Sequence, residues 1–149
     1  ERVTIVPLPL SDELSLNSLN MTSTTWGGAM STFGQSYGHD GETMQKVFVI
    51  PTIGLSMVDA VELLRISQPD YIKMDVDGIE HLILKGGIPI LSKTKSVLIE
   101  INDKFNTQSR EADLYLREAG FTLKEKRHAS YFDKDTTAAR HTYNQIWVK

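Results

Sequence analysis

Polar side chains at the ends of two apolar runs are the strongest candidates for chemistry. Asp75 and Asp77 lie around the end of the run at 71–76, and Glu100 alternates with Asn102 in the next run along the chain. Carboxylates gathered at one edge of a sheet can orient a ligand, act as a general base or hold a hard cation. Glu100 and Asn102 also fit a hydrogen-bonded strand end that has no further function.

The residues around the acidic pair allow three interpretations. Asp77, with Glu80 three residues later, fits a capping box at the start of a helix. Asp75 lies in an apolar run, where an ionised carboxylate needs a partner; this favours a functional role, and Lys73 on the same strand face is a candidate partner. Asp75 and Asp77 also match the short acidic pattern with which a glycosyltransferase holds a metal ion.

The elements that would position these side chains are those of an open α/β sheet. The runs at 71–76 and 96–102 are short and apolar, which predicts two buried strands. Apolar residues recur at helical spacing over 79–83, and Gly86 and Gly87 then end the helix. A strand that presents carboxylates at its C-terminal end and turns into a helix is typical of the ligand-binding edge of such a sheet.

Further elements are predicted on both sides of this edge. Strands are expected at 3–10, 47–50, 121–126 and 143–148, helices at 56–67, 88–91 and 109–119, and loops at 14–44 and 128–142. Because Pro7 and Pro9 interrupt the first strand, we expect its second half to be irregular or to lie at a sheet edge. Ser56 and Asp59 resemble a capping box at the first helix. The aromatic residues of the long loop, Trp26 and Tyr37 among them, indicate either a lid over a substrate or a loop held in place by its aromatic side chains.

Composition limits the class of protein. The chain has 149 residues, 40% of them hydrophobic and 23% charged, which is typical of one soluble globular domain. A net charge of −3 provides no strong basic field, so we expect neither a nucleic acid nor a membrane as partner. The chain has no cysteine, and none of its four histidines has metal-ligand spacing to another. We therefore assign no metal ligand and expect a cytoplasmic protein.

The segment at 71–87 resembles the signature of the FkbM family of S-adenosylmethionine-dependent methyltransferases. It reads Tyr-Ile-Lys-Met-Asp-Val-Asp-Gly-Ile-Glu-His-Leu-Ile-Leu-Lys-Gly-Gly, whereas that family typically has Ile-Lys-Ile-Asp-Val-Glu-Gly-x-Glu and then Leu-Lys-Gly. The segments at 8–12, 97–101, 116–121 and 144–148 are similar to other parts of the family pattern. Asp77 stands where Glu is commoner, and Thr-Ile-Gly replaces the usual Thr-Leu-Asp before the first helix.

The resemblance implies a Rossmann-like α/β fold, with a mostly parallel sheet and a closing antiparallel strand pair. It also implies methyl transfer from S-adenosylmethionine to a hydroxyl of a sugar or other small molecule. Asp75 and Glu100 are then the candidate catalytic residues, which would orient the cofactor or acceptor or remove its proton. Ser11, Asp12 and Asp77 are the candidate cofactor-binding residues, the first two near the adenine, and the loop at 26–37 would cover the acceptor.

The sequence lacks the glycine-rich cofactor turn and the ribose-binding acid of this superfamily. We therefore expect 1–149 to be a single domain without its N-terminal cofactor half. A sheet edge left open by missing strands would favour a homodimer. Two alternatives stay open: a metal-dependent glycosyltransferase, which predicts cation-dependent binding of a nucleotide sugar, and a non-catalytic α/β scaffold, which predicts no ligand.

Overall fold

A computed structural model describes residues 3–128 and 141–149. In these ranges the strands are β1 Ser15–Met21, β2 Ser31–Phe33, β3 Phe48–Gly54, β4 Tyr71–Met74, β5 Ser96–Asn102, β6 Thr122–Arg127 and β7 Thr142–Val148. The helices are α1 Met57–Leu63, α2 Glu80–Lys85, α3 Ile88–Leu91 and α4 Asn106–Glu118. Most of the predicted loop at 128–142 lies outside the described residues.

The larger sheet has the strand order β4-β5-β7-β6. β4 is parallel to β5, whereas β7 is antiparallel to both β5 and β6. β4, β5 and β6 therefore point the same way, and the chain returns along β7 between the last two. The crossovers α2–α3 and α4 allow the parallel arrangement, since parallel strands need a long connection. The α/β class and the closing antiparallel pair are confirmed. The prediction of a mostly parallel sheet is wrong for the described strands: β4 and β5 pair in parallel, but β7 is antiparallel to both of its neighbours.

The core lies between one face of this sheet and the helices. Val97, Ile99 and Ile101 of β5 alternate toward that face and are buried, as expected for residues two apart in a strand. Leu116 of α4 and Trp147 of β7 belong to the same cluster. Ser96, Leu98 and Glu100 alternate with them, point to the opposite face and are half-buried.

A second sheet occupies part of the predicted long loop. β1 pairs antiparallel with both β2 and β3, in the order β2-β1-β3. The loop prediction is wrong there. Polar residues interrupt the apolar alternation expected of a strand in β1, but the folded chain provides hydrogen-bond partners for them. Asn20 is buried, and its side-chain amide donates a hydrogen bond to the Gln35 carbonyl at 2.6 Å. Phe33 of β2 is buried in the core, so an aromatic side chain does fix this segment.

The predicted strand at 3–10 is wrong. Leu10 forms an isolated parallel bridge with Leu55, and the residues before it are irregular. Pro7 and Pro9 have no N–H to donate to a ladder. Val3 and Ile5 remain exposed because, among the described residues, no strand pairs with them.

Two other elements differ from expectation. The capping box of Ser56 and Asp59 is confirmed, but α1 ends at Leu63 rather than near 67. β4 is an edge strand within the described sheet rather than a buried central one, and its Tyr71 is 72% exposed. The remaining predicted helices and strands are confirmed with shifted ends.

The turn after β4 packs against the segment that follows β2. Gly78 has φ = +106°, which L side chains rarely adopt. A Cβ built on Gly78 would overlap the Gly38 carbonyl oxygen and lie 3.2 Å from the Cα of His39. Only glycine at position 78 therefore allows the turn after β4 to lie this close to the Gly38 backbone. This contact joins the two sheets at the end of β4.

We expect Gly78→Ala to lower the free energy of unfolding by about 3 kcal/mol, because it adds a steric overlap to an unfavourable φ. Gly27→Ala is a matched control, since Gly27 also has positive φ but nothing lies within 4 Å of its added Cβ. That change should cost only about 1 kcal/mol. Urea denaturation of both variants measures the difference, and equal losses would contradict the close packing.

Candidate functional site

Asp75 and Glu100 lie at the C-terminal ends of two adjacent parallel strands. The register pairs Met74 with Ile99, so the residues that follow, Asp75 and Glu100, lie side by side. Glu100 is half-buried, and its pKa is raised first by desolvation and then by the negative charge of Asp75. The charges of Lys73 and His39 partly oppose this shift. The two carboxylates thus lie at one edge of the sheet, which we call the acidic edge; their catalytic roles stay a prediction.

Asp75 is not the buried carboxylate that the apolar run predicts. β4 ends at Met74, and the Asp75 side chain is about half exposed beyond it, at 54%. Its carboxylate pairs with Lys73, the partner that the sequence indicates. Its position at the sheet edge, and not its burial, is what makes it a site residue.

Asp77 and Glu80 do not form a capping box. The N-cap position of α2 is Ile79, which makes no side-chain capping hydrogen bond. The Asp77 carboxylate instead accepts a hydrogen bond from the backbone N–H of Ser31 at 2.9 Å. It thereby ties the start of β2 to the turn after β4, a long-range contact that no local pattern indicates.

Glu80 is 1% exposed and its carboxylate accepts a hydrogen bond from the side-chain amide of Gln108. The oxygen of that amide accepts from the backbone N–H of Asn102 at 2.9 Å. Burial raises the pKa of Glu80 from 4.5 to about 8, against backbone hydrogen bonds at Glu80 and Val76 that lower it. Sequence reasoning missed this buried group, although its place among the apolar residues of α2 was a signal.

His81 follows Glu80 in the first turn of α2. It is buried, with its ring centroid 5.7 Å from that of Phe105, and desolvation lowers its pKa. Phe105 also contacts Tyr37, at 5.1 Å between centroids. Tyr37 therefore fixes its end of the 26–37 segment, whereas Trp26 is fully exposed.

Ser11 and Asp12 lie beside Leu55 and Lys85, the last residue of α2. The backbone N–H of Ser11 donates to the Leu55 carbonyl, and the Ser11 hydroxyl donates to Asp12. Asp12 pairs with Lys85 of α2 at 3.1 Å. Partial burial alone would raise the pKa of Asp12, but the ion pair with Lys85 lowers it overall. That Ser11 and Asp12 contact the adenine of a cofactor stays a prediction.

A groove of about 700 Å³ runs beside β4, along the side on which no described strand pairs with it. Its walls are largely apolar, and the charged side chains that line it in the described part are Lys73 and Asp75. Ser11, Asp12, Asp77 and Glu100 are not among its lining residues. The apolar wall residues include Leu8, Leu10, Leu19, Phe33, Met57, Ile72, Met74, Ile79 and Ile83.

Two kinds of feature are absent from residues 3–128 and 141–149. They contain no group of three or more histidine, aspartate or glutamate side chains that could hold a metal ion. None of their helices is long and apolar enough to cross a membrane.

Carboxylates at the ends of adjacent parallel strands, beside an apolar groove, define an α/β protein of the kind that binds small molecules at its sheet edge. Residues 8–123 match the methyltransferase FkbM domain. The chain therefore belongs to the FkbM methyltransferase family, as the segment at 71–87 indicates. No curated protein and no solved structure matches the chain.

The raised pKa of Glu80 makes stability depend on pH. In the unfolded chain Glu80 loses its proton near pH 4.5, whereas in the folded chain it keeps it to about pH 8. The free energy of unfolding should therefore fall as the pH rises between these values. Glu80→Gln cannot ionise, so we expect the stability of the variant relative to wild type to increase over this range.

Urea denaturation at a series of pH values measures this difference. Comparing the two proteins is necessary because the lowered pKa of His81 acts with the opposite sign. Glu62→Gln, on the exposed side of α1, is the control and should show no such trend. If the difference in the free energy of unfolding between wild type and Glu80→Gln does not change with pH, Glu80 is not protonated in the folded chain.

Proposed function

We propose that this domain transfers a methyl group from S-adenosylmethionine to a hydroxyl of a sugar or other small molecule. The proposal depends on one observation: in a chain of the FkbM methyltransferase family, Asp75 and Glu100 lie side by side at a sheet edge, and Asp75 also lines the apolar groove. The groove and the acidic edge together provide a place for a cofactor next to a group that can accept a proton.

The residues of the groove fit such a cofactor. Its volume of about 700 Å³ is in the range of small-molecule sites. Apolar side chains such as Leu10 and Ile72 provide surfaces for an aromatic base, and the Asp75 carboxylate is an acceptor for ammonium or hydroxyl groups. S-adenosylmethionine, when bound, supplies an electrophilic methyl group.

Glu100 suits the removal of the acceptor's proton. A hydroxyl becomes a better nucleophile as its proton passes to a positioned base, and a carboxylate with a raised pKa is a stronger base than an ordinary one. Half-burial and the charge of Asp75 raise the pKa of Glu100. Only the ionised form can accept a proton, so the rate should rise with pH through the pKa of Glu100. Asp75 would orient the cofactor or the acceptor.

The two alternatives have less support. A metal-dependent glycosyltransferase would need both Asp75 and Asp77 for its cation, but Asp75 pairs with Lys73 and Asp77 accepts from the Ser31 N–H. A non-catalytic scaffold does not account for two carboxylates at the edge. We also propose a cytoplasmic homodimer that binds no nucleic acid or membrane.

We expect Asp75→Asn to lower methyl transfer at least about tenfold and Glu100→Gln about 100-fold, because both remove the carboxylate charge while keeping side-chain volume. Asp70→Asn is the matched control: Asp70 precedes β4, at the opposite end from the site, and pairs with Lys95 on the surface. Formation of S-adenosylhomocysteine with a panel of saccharide acceptors measures the rates. Wild-type turnover in both site variants would remove the acidic edge from the mechanism.

Titration calorimetry with S-adenosylhomocysteine tests the cofactor directly. We expect it to bind to the 149-residue chain or to a longer product of the same gene, and Asp75→Asn to weaken that binding. Binding of a nucleotide sugar only with Mn²⁺ or Mg²⁺ would instead favour the glycosyltransferase. No binding of either ligand by a well-folded protein would favour the scaffold.

A further inference from the structure

One buried carboxyl group links the start of α2, the start of α4 and the end of β5. Glu80 begins α2, Gln108 lies in the first turns of α4, and Asn102 is the last residue of β5. All three side chains are buried, at 1%, 2% and 2% exposure. Because water cannot replace these contacts, the hydrogen bonds between them determine how the three segments fit together.

Gln108 joins the other two residues with both ends of its amide. Its Nε2 donates to Glu80, and its Oε1 accepts from the backbone N–H of Asn102. The Asn102 side-chain oxygen then accepts from the Lys104 N–H at 3.0 Å, where the chain turns from β5 toward α4. The Gln108 amide satisfies Glu80 and Asn102 in one orientation only, so the end of β5 is held in one position relative to α2.

The two candidate catalytic residues lie close to these linked points. Glu100 precedes Asn102 by two residues on the same strand. Asp75 lies five residues before Glu80, in the turn that leads from β4 into α2. Glu80 itself does not line the groove. It can therefore affect the site only through the positions of the two strand ends.

We propose that Glu80 is a positioning residue: through the amide of Gln108 it sets the spacing between the Asp75 and Glu100 carboxylates. That this spacing serves methyl transfer rests on the function proposed above. The contact requires an acceptor at residue 80 and not a charge. A glutamine there keeps an oxygen that can accept from Gln108, whereas a methionine of similar size has none.

The pKa of Glu100, measured by NMR titration of ¹³C-labelled carboxyl groups, reports this spacing without any turnover. Besides desolvation, the groups that act on Glu100 are Asp75 and Asp77, which raise its pKa, and Lys73 and His39, which lower it. If the strand ends separate, both the desolvation and the repulsion by Asp75 weaken. In Glu80→Met we therefore expect the titration midpoint of Glu100 to fall by roughly 0.5 to 1 pH unit.

Glu80→Gln is the conservative variant and should keep the wild-type midpoint of Glu100. Gln108→Met breaks the same link from the other side, should lower the midpoint as Glu80→Met does, and decides the question if Glu80→Met does not fold. A midpoint unchanged in the methionine variants would overturn the proposal. An equal fall in Glu80→Gln would overturn it too, since the hydrogen bond would then not be what matters.

Binding of S-adenosylhomocysteine by the same variants separates this proposal from the function on which it rests. We expect weaker binding or slower turnover in the two methionine variants and wild-type behaviour in Glu80→Gln. If the wild-type protein binds no S-adenosylhomocysteine but its Glu100 midpoint responds as described, the methyltransferase function fails and the positioning role of Glu80 stands.

Discussion

The burial of the Glu80 carboxyl group is the constraint on which the geometry of the edge depends. A carboxyl group removed from water must be neutral, hydrogen-bonded or both. Glu80 meets both conditions, because its pKa of about 8 keeps it protonated at neutral pH and Gln108 supplies a donor. Gln108 must then face α2, and the N–H of Asn102 must reach the same amide. One buried group thus relates α2, α4 and the end of β5.

A second constraint joins the antiparallel sheet to the same edge. The backbone of Gly38 contacts Gly78, and the N–H of Ser31 is bonded to Asp77. Both contacts involve the backbone on the antiparallel side, so they depend on the path of the chain more than on its side chains. The segment after β2 therefore lies over the turn that follows β4. His39 of this segment lies close enough to Glu100 to lower the pKa of that carboxyl group, whereas Trp26 lies free of these contacts.

The fold could be predicted from sequence where the signal is local. The run at 96–102 is buried on one face, and the capping box of Ser56 and Asp59 satisfies itself within one turn. Prediction failed where distant residues decide the outcome. Asn20 breaks the strand pattern of β1 because its partner is a carbonyl fifteen residues away. The run at 3–10 has the composition of a strand, but composition does not provide a neighbour with which to pair.

For the site, sequence reasoning selected Asp75 on an argument that the structure contradicts. It assumed burial, whereas the structure gives an exposed carboxylate whose importance comes from its register beside Glu100. The same reasoning assigned Glu80 to a capping box and missed its burial, because its hydrogen bond comes from Gln108, 28 residues away in the chain. The proposed chemistry uses this division of roles. Asp75 is exposed and can contact a ligand, whereas Glu100 is half-buried and can act as a base. Glu80 is neutral, and its hydrogen bonds fix the positions of the segments that carry the other two residues.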